Sequence, residues 1–454
     1  MQCEMSQRIR ARRLWRNRFL PFPPTHLFCN LILGAWLRLS GHRGDGSAMA
    51  VGEPVTIMYV DHSPAHGGSL ESLSRTIRAL DKERFLPVVV LSHVEERKAL
   101  FEGIRTEIVP WRPSLSVILP TIHNAIIFSK KHSLVVARAL SASCFVLEFF
   151  ATEIPRFLRL YRIAKRHRAR LIHLNNSCDD LAAILAAGCL KIHCVSHHRD
   201  FTASSPLTRW QACRVDWNIA VSQAVRSHVL EFGVDSARVS VVYDPIDSSE
   251  HDPSMDIGYL VREFAKRPDE KFFGIFGRVV DWKGHRYFLE AAAEVFKRFP
   301  SSRAFIVGDA EDGPSKYVDE LKQLSERLGI ASKIIFSGFR RDVAAMMKLM
   351  DVVVHASVRP EPFGMVVIEA MSMSRPIIAT IGGGPSEIIE NGVNGLLVPR
   401  CDSEKLAVAI CSLLGDAERA DRIGARAAIE VRKRFLSLHA ARKLEGVYSN
   451  ILEV

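Results

Sequence analysis

Five short apolar strokes in the C-terminal half, FFGIFG, AFIVG, KIIFSG, DVVVHAS and RPIIAT, each stop at Gly, Ser or Thr, and a helical stretch separates each from the next. Sustained alternation of this kind predicts a doubly wound parallel sheet, because parallel strands need helical crossovers and those crossovers cover both faces. Ligands of such a sheet lie at the carboxyl ends of its strands. The N-terminal half repeats the rhythm with VTIMYVD at 55–61, a turn holding Gly67 and Gly68, and a helix through SLESLSRTIRAL. Further strands are expected at 85–92, 169–176, 192–198, 216–222 and 239–245. The reading is an α/β chain of two Rossmann-like domains, 49–250 and 270–435. Residues 251–269, rich in Asp, Ser and Pro, form the linker, and a last helix, 436–454, returns to the first domain.

With 454 residues, 48% apolar and 24% charged, the chain can bury two cores and is not disordered by composition. Its net charge is +11, but residues 1–48 hold eight Arg against Glu4 and Asp45, a net of +6 that leaves only +5 for the rest. Charge alone therefore does not make the body a nucleic-acid binder. Nine cysteines without a C-x-x-C pair fit free thiols in a reducing, cytoplasmic compartment. The spacing of Cys189, His193, Cys194, His197 and His198 matches no common zinc arrangement.

Residues 1–48 are Arg-rich and Pro-broken, with too short a usable helix to span a bilayer, and are read as a disordered or non-native leader. Residues 113–150 are more apolar than a loop requires. They precede RFLRLYRIAKRHRAR, where Arg156, Arg159, Arg162 and Arg166 recur at helical spacing opposite Phe157, Leu160, Tyr161 and Ala164. Such a helix either rests on an anionic membrane surface or is a core helix with a solvated basic face.

The residues that carry chemistry cluster in two places. Arg278 follows the stroke FFGIFG and Lys283 opens the next turn, so both cations stand where this kind of sheet binds ligands and where a diphosphate would be neutralised. Glu361 lies between Pro360 and Pro362 and therefore in a loop, while a helix from about Phe363 carries Glu369 one to two turns in. Free amides at that helix start suit a phosphate or sugar oxygen, and a carboxylate can clamp a sugar diol. Gly67 and Gly68 would let a ligand approach a second helix start.

In GRVVDWKG, FIVGDAEDG, IIFSGFRRDVAAMMKLMDVVVHAS, EPFGMVVIEAMSMSRPIIAT, GGGPSEII and NGVNGLLVP, the second half closely resembles the retaining GT-B glycosyltransferases of family 4. The first half resembles them more loosely, through HGGSLESL, HLNN, VSHHRD, WNIAVSQAVRSHVLEFGV and VSVVYDPID. The resemblance implies a GT-B fold, two doubly wound Rossmann-like domains facing each other across a cleft. It also implies transfer of a hexose, with retention, from a nucleotide-diphosphate sugar to a glycan or lipid-linked acceptor in cell-surface polysaccharide or glycolipid biosynthesis. The catalytic residues so implied are His198, at the sugar's reacting face, and Glu361, in the sugar pocket; His197 is a competing alignment for the histidine. Donor-binding residues would be Arg278 and Lys283 for the diphosphate, Glu369 for the ribose, the amides of Phe363, Gly364, Met365 and Val366, and Gly338, Phe339 and Arg340 for the base. Gly67 and Gly68 would face the phosphate and acceptor. No cofactor and no metal is expected, since the chain has no D-x-D motif and cations and helix termini would meet the diphosphate. Peripheral association with an anionic membrane is the expected partner beyond the substrates; no nucleic acid is expected. A non-catalytic homologue acting as a partner subunit, or a nucleotide-sugar epimerase, is the alternative. Tyr243 and Asp244 depart from the family's usual asparagine and glycine.

Overall fold

The computed structural model describes residues 53–62, 67–92, 95–109, 149–310 and 315–454. The leader and most of the apolar stretch 113–150 lie outside the described residues. The first sheet contains β1 (Val55–Asp61), β2 (Phe85–Leu91), β3 (Arg105–Ile108), β4 (Leu171–Leu174), β5 (His193–His198), β6 (Trp217–Ala220) and β7 (Val239–Val241). The second contains β8 (Lys271–Phe276), β9 (Ser302–Val307), β10 (Ile334–Gly338), β11 (Val352–His355), β12 (Ile377–Thr380) and β13 (Leu396–Val398). Strand orders are β3-β2-β1-β4-β5-β6-β7 and β10-β9-β8-β11-β12-β13, and every pairing is parallel. In both sheets the winding reverses once, between β1 and β4 and between β8 and β11. Those two places are where a doubly wound sheet opens a crevice.

Helices cover both faces: α1 (Gly68–Ala79), α2 (Ile154–Arg166), α3 (Leu181–Leu190), α4 (Pro206–Arg214) and α5 (Gln223–Leu230) around the first sheet. Around the second are α6 (Gly258–Glu263), α7 (His285–Arg298), α8 (Lys316–Arg327), α9 (Val343–Leu349), α10 (Met365–Ser372), α11 (Pro385–Ile388), α12 (Ser403–Leu414) and α13 (Ala417–Arg434). Central strands such as β4, β11 and β12 are buried along their whole length, which is why they read as continuous apolar runs. Helix α6 falls inside the expected linker, and Phe264 just after it meets Phe305 of β9 edge-on at 5.1 Å.

The last helix, α14 (Ser437–Leu452), packs on the first sheet. Its Tyr448 hydroxyl donates to the Tyr59 hydroxyl at 3.0 Å and lies 2.8 Å from His173 Nδ1, a polar contact that joins three buried groups. The chain passes between the domains twice, and the two passages are hydrogen-bonded to each other: Ile246 N donates to Phe435 O at 2.9 Å and Ser437 N to Ile246 O at 3.2 Å. Tyr243 stacks on Phe363 at 5.9 Å and meets Phe435 at 5.4 Å, so an apolar cluster runs through this junction.

Tyr243 and Asp244 both find specific partners there. Asp244 is buried and accepts from Ser72 Oγ at 2.7 Å and from Arg199, which also donates to Asn175 O at 2.9 Å. Helix α2 is amphipathic as read, with one exception to its basic face. Arg156 is buried and paired with Asp180, while Arg159, Arg162 and Arg166 are exposed.

Candidate active site

Three glycines make the floor at the second crevice. Gly277, Gly308 and Gly338 end β8, β9 and β10 with φ of 120°, 138° and 65°. Gly277 N donates to Val307 O at 2.9 Å and Gly308 N to Gly338 O at 3.0 Å. A Cβ on Gly308 would sit 2.0 Å from Gly277 O, so only glycine lets these ends close up. Arg278 follows this ledge directly and is exposed. The following 3₁₀ turn, Asp281–Lys283, ends in Gly284 at φ 79°, whose Cβ would lie 1.9 Å from Ala356 O. That close approach presses the turn after β8 onto the end of β11 and carries Lys283 to Glu361.

Lys283 Nζ donates to Glu361 Oε1 and Oε2 at 2.9 Å each. Ser357 Oγ donates to Glu361 Oε2 at 2.9 Å, and His355 Nε2 lies 3.1 Å from the same oxygen. Burial raises the Glu361 carboxyl, but Lys283 and His355 more than offset it and hold the group well below the usual carboxylate range. The indole of Trp282 lies beneath the ammonium, 4.2 Å from it. The loop backbone is fixed from the other side by Gly383 and Gly384. A Cβ on either would meet Glu361 O at 1.9 Å or Phe363 O at 2.0 Å, and Gly384 N donates to Glu361 O at 2.9 Å.

Helix α10 begins two residues later than the sequence predicts. Gly364 takes the left-handed conformation at φ 101° and caps it, so the amides at the helix start belong to Gly364, Met365 and Val366, and Phe363, which is buried, precedes the cap. Glu369 consequently lies in the second turn. Its side chain accepts no hydrogen bond among the described residues. Burial pushes its carboxyl up to about 7; Arg75 of α1 pulls downward, and Glu71 and Glu250 push upward. Arg75 itself is buried and paired with Glu250 at 2.7 Å and Glu71 at 3.3 Å.

Across the crevice, α1 starts at Gly68, and a Cβ there would lie 3.2 Å from Met365 Cγ. The starts of α1 and α10 therefore face each other, and both helix dipoles direct positive potential into the space between the domains. Gly67 has nothing within 4 Å of where its Cβ would be. At the floor's far edge, Phe339 is 68% exposed, whereas Arg340 is committed to Glu263 at 2.7 Å and Asp342 at 2.7 Å.

His198 ends β5 and is fully buried. Asn218 Nδ2 donates to Ala212 O at 3.0 Å, which turns Oδ1 toward His198 Nε2 at 2.8 Å and assigns the ring proton to Nε2. Nδ1 is left with no partner among the described residues. Burial lowers its pKa to about 4, so the ring is neutral at pH 7. His197 faces the opposite side of the sheet, 5.4 Å from His173. The structure thus joins Lys283 with Glu361, and Gly68 with Met365. It places Arg278 and Gly338 on one ledge, and His198 in the first domain.

Six contributors were not singled out from sequence. His355 and Ser357 lie inside DVVVHAS, and Gly383 and Gly384 inside GGGPSEII; the run of three glycines was their one local signal. Arg75 gave none. Nor did His62, whose 3.3 Å contact with Asp179 and nearby Asp180 outweigh burial and raise it to about 9.

The description "Glycosyl transferases group 1" matches residues 260–429, and "Glycosyltransferase Family 4" matches residues 66–250. The chain belongs to the family 4 GT-B glycosyltransferases. An uncharacterised glycosyltransferase of Methanocaldococcus jannaschii is 28% identical over 254 residues, 55% of this chain and 63% of that relative, so the match spans less than two thirds of it. The lipopolysaccharide core biosynthesis mannosyltransferase LpsB of Rhizobium meliloti is 25% identical over 304 residues, 65% of this chain and 85% of LpsB. Among solved structures, Anabaena HepE in complex with UDP and glucose superposes with a TM-score of 0.71 at 26% identity, over 87% of this chain and 100% of HepE. The two family descriptions together span α1 and β2–β7 of the first domain and β8–β13 of the second.

Proposed function

We propose that the protein transfers a hexose, with retention of anomeric configuration, from a nucleotide-diphosphate sugar to a glycan or lipid-linked acceptor of cell-surface polysaccharide or glycolipid. The observation that carries this is the opposed pair of helix starts at Gly68 and Met365 beside the Lys283–Glu361 pair, because it sets amides, a cation and a carboxylate around one space. When a diphosphate enters, Lys283 exchanges Glu361 for phosphate oxygens, and Arg278 joins it from the ledge. Glu361 remains held through Ser357 and His355 and turns its freed Oε1 to a sugar hydroxyl. Glu369 clamps the ribose, Phe339 and the backbone of Gly338 and Arg340 take the base, and His198 at the end of β5 meets the sugar's reacting face. The departing phosphate deprotonates the acceptor on the same face, so neither a covalent nucleophile nor a metal is required.

LpsB acts in lipopolysaccharide core biosynthesis and HepE binds UDP and glucose, which supports this donor and acceptor class. An anionic membrane surface as partner rests on α2 and the residues before it: Phe150 is 56% and Leu158 40% exposed beside Arg159 and Arg162. No helix among the described residues is long and apolar enough to cross a membrane. The location proposed is the cytoplasm, at the membrane's inner face, where nucleotide sugars are found and the exposed basic side chains of α2 would meet anionic lipid.

The test is nucleotide release from a panel of UDP-, GDP- and ADP-sugars, with and without membrane extract. Wild type should release nucleotide from one donor class and Glu361→Ala should not. Equal release by both from every donor sinks the reading. For the membrane partner, vesicles containing anionic lipid should carry the protein upward in flotation, and Arg159→Glu with Arg162→Glu should abolish this.

A further inference from the structure

Helix α5 of the first domain is capped by both domains. Ser222 Oγ accepts from Val225 N at 3.0 Å, as an N-cap should, but that leaves the first two amides without an intrahelical partner. Glu387 supplies it from the second domain. Gln223 N donates to Glu387 Oε2 and Ala224 N to Oε1, each at 2.8 Å. One carboxylate thus meets two amides and the positive end of the α5 dipole, a charge-assisted contact stronger than a neutral pair.

Glu387 sits in α11, directly after the glycines that grip the backbone of Glu361 and Phe363. Because neither Gly383 nor Gly384 has room for a Cβ, this loop transmits displacement rather than absorbing it. Its other end is tied to the domain junction, where Arg434 Nη2 donates to Glu387 O at 3.3 Å and the Arg434 guanidinium covers the Tyr243 ring at 5.4 Å.

We propose that Glu387 is a positioning residue: its cap on α5 forms only when the two domains close, and it couples closure to the placement of Glu361 and the α10 amides. This rests on the glycosyltransfer reading above. Opening returns two amides and one carboxylate to water, where all three are solvated, so the latch is reversible on the time scale of domain motion. The chemistry of transfer itself does not involve Glu387, and donor binding to the second domain alone does not require it.

The experiment uses the full chain and whichever nucleotide sugar of the panel it turns over. Glu387→Ala should lower kcat about tenfold, corresponding to ~1.4 kcal/mol, with donor KM changed less than about twofold. Gln223→Pro removes one donated amide from the opposite side at a position where proline suits a helix start, and should give a smaller loss of the same kind. The two losses should not add in the double variant. Hydrogen exchange at residues 223–226 should rise in Glu387→Ala, and Glu387→Gln, which keeps one acceptor oxygen, should recover part of kcat. Unchanged exchange and kcat in Glu387→Ala overturn the proposal, as does additivity in the double variant. If Glu387→Ala fails to fold, Gln223→Pro decides alone by the same readouts. A wild type that turns over no donor overturns the glycosyltransfer reading instead, while the exchange arm still judges the latch.

Discussion

Removing Lys283 tests the core of the site more sharply than removing the carboxylate it holds. In Lys283→Met the Glu361 charge stays in a largely buried position, keeping Ser357 and His355 but losing both ammonium contacts at 2.9 Å. Two unit charges near 3 Å at an effective dielectric of about 20 attract by ~5 kcal/mol, and the partial return of water to the exposed fraction reduces what is lost. The expected destabilisation is ~3 kcal/mol, the low end of the range for breaking a buried pair. Glu361→Gln in the same chain removes the stranded charge, so the double variant should recover about half of that loss. The assay is urea unfolding at pH 7.5, arranged as a double-mutant cycle.

The pH dependence follows from the same pair. The folded Glu361 is held below its unfolded value, so its stabilisation is full above about pH 4.5 and fades as pH falls toward the folded value. The stability gap between wild type and Glu361→Gln should therefore narrow below about pH 4.5 and stay constant from pH 6 to 8. A Lys283→Met variant within ~0.5 kcal/mol of wild type, or a cycle that is additive, would refute the reasoning.

Glu369 should give the opposite sign. Its folded value near 7 lies above the unfolded 4.5, so its ionisation costs stability as pH rises from about 4.5 to 7, by about 3 kcal/mol, and Glu369→Gln should abolish that slope in urea midpoints at pH 5 and pH 8. Gly383→Ala places a Cβ 1.9 Å from Glu361 O at φ 71° and should lower stability by about 2 kcal/mol while raising donor KM, read by unfolding and initial rates. Gly67→Ala meets nothing within 4 Å and should leave the unfolding midpoint unchanged, so any rise in its donor KM reports the ligand. Phe339→Ala should likewise leave stability within ~0.5 kcal/mol, since the ring is 68% exposed, and raise donor KM about tenfold through lost stacking on the base.

The central strands were legible because parallel strands buried on both faces must be written as apolar runs. Edge strands escape that requirement. β3 is RTEI with no fully buried residue, and β13 is three residues long, so neither was read as a strand. The start of α10 was misplaced by two residues because a glycine in the left-handed region stops a helix that propensity alone would extend. Arg278, Lys283, Glu361 and Glu369 were legible as a set, but the pairing of Lys283 with Glu361 spans 78 positions and has no local signature. It depends on the contact of Gly284 with Ala356, a steric fact of the folded chain. The same holds for Arg75, whose bearing on Glu369 arises only when one domain is laid against the other.

The two departures at Tyr243 and Asp244 show how a site of this kind tolerates change at its hinge. An aspartate there adds a buried negative charge, which is costly unless it is matched. Arg199 matches it, and the same guanidinium reaches Asn175, whose Nδ2 donates to Asp61 at 2.6 Å and lies 3.4 Å from Ser69 O at the start of α1. The hinge charge is thereby wired to the helix start that faces Met365. Tyr243 does the corresponding work toward the other domain through its stack on Phe363, two residues before α10 begins. Both replacements point at the two helix starts that frame the crevice. Asp244→Gly should then loosen α1 rather than the hinge alone, visible as faster hydrogen exchange at residues 68–72, while Tyr243→Asn should loosen residues 363–366. Exchange that rises only at 243–246 in both variants would confine these residues to a purely local role.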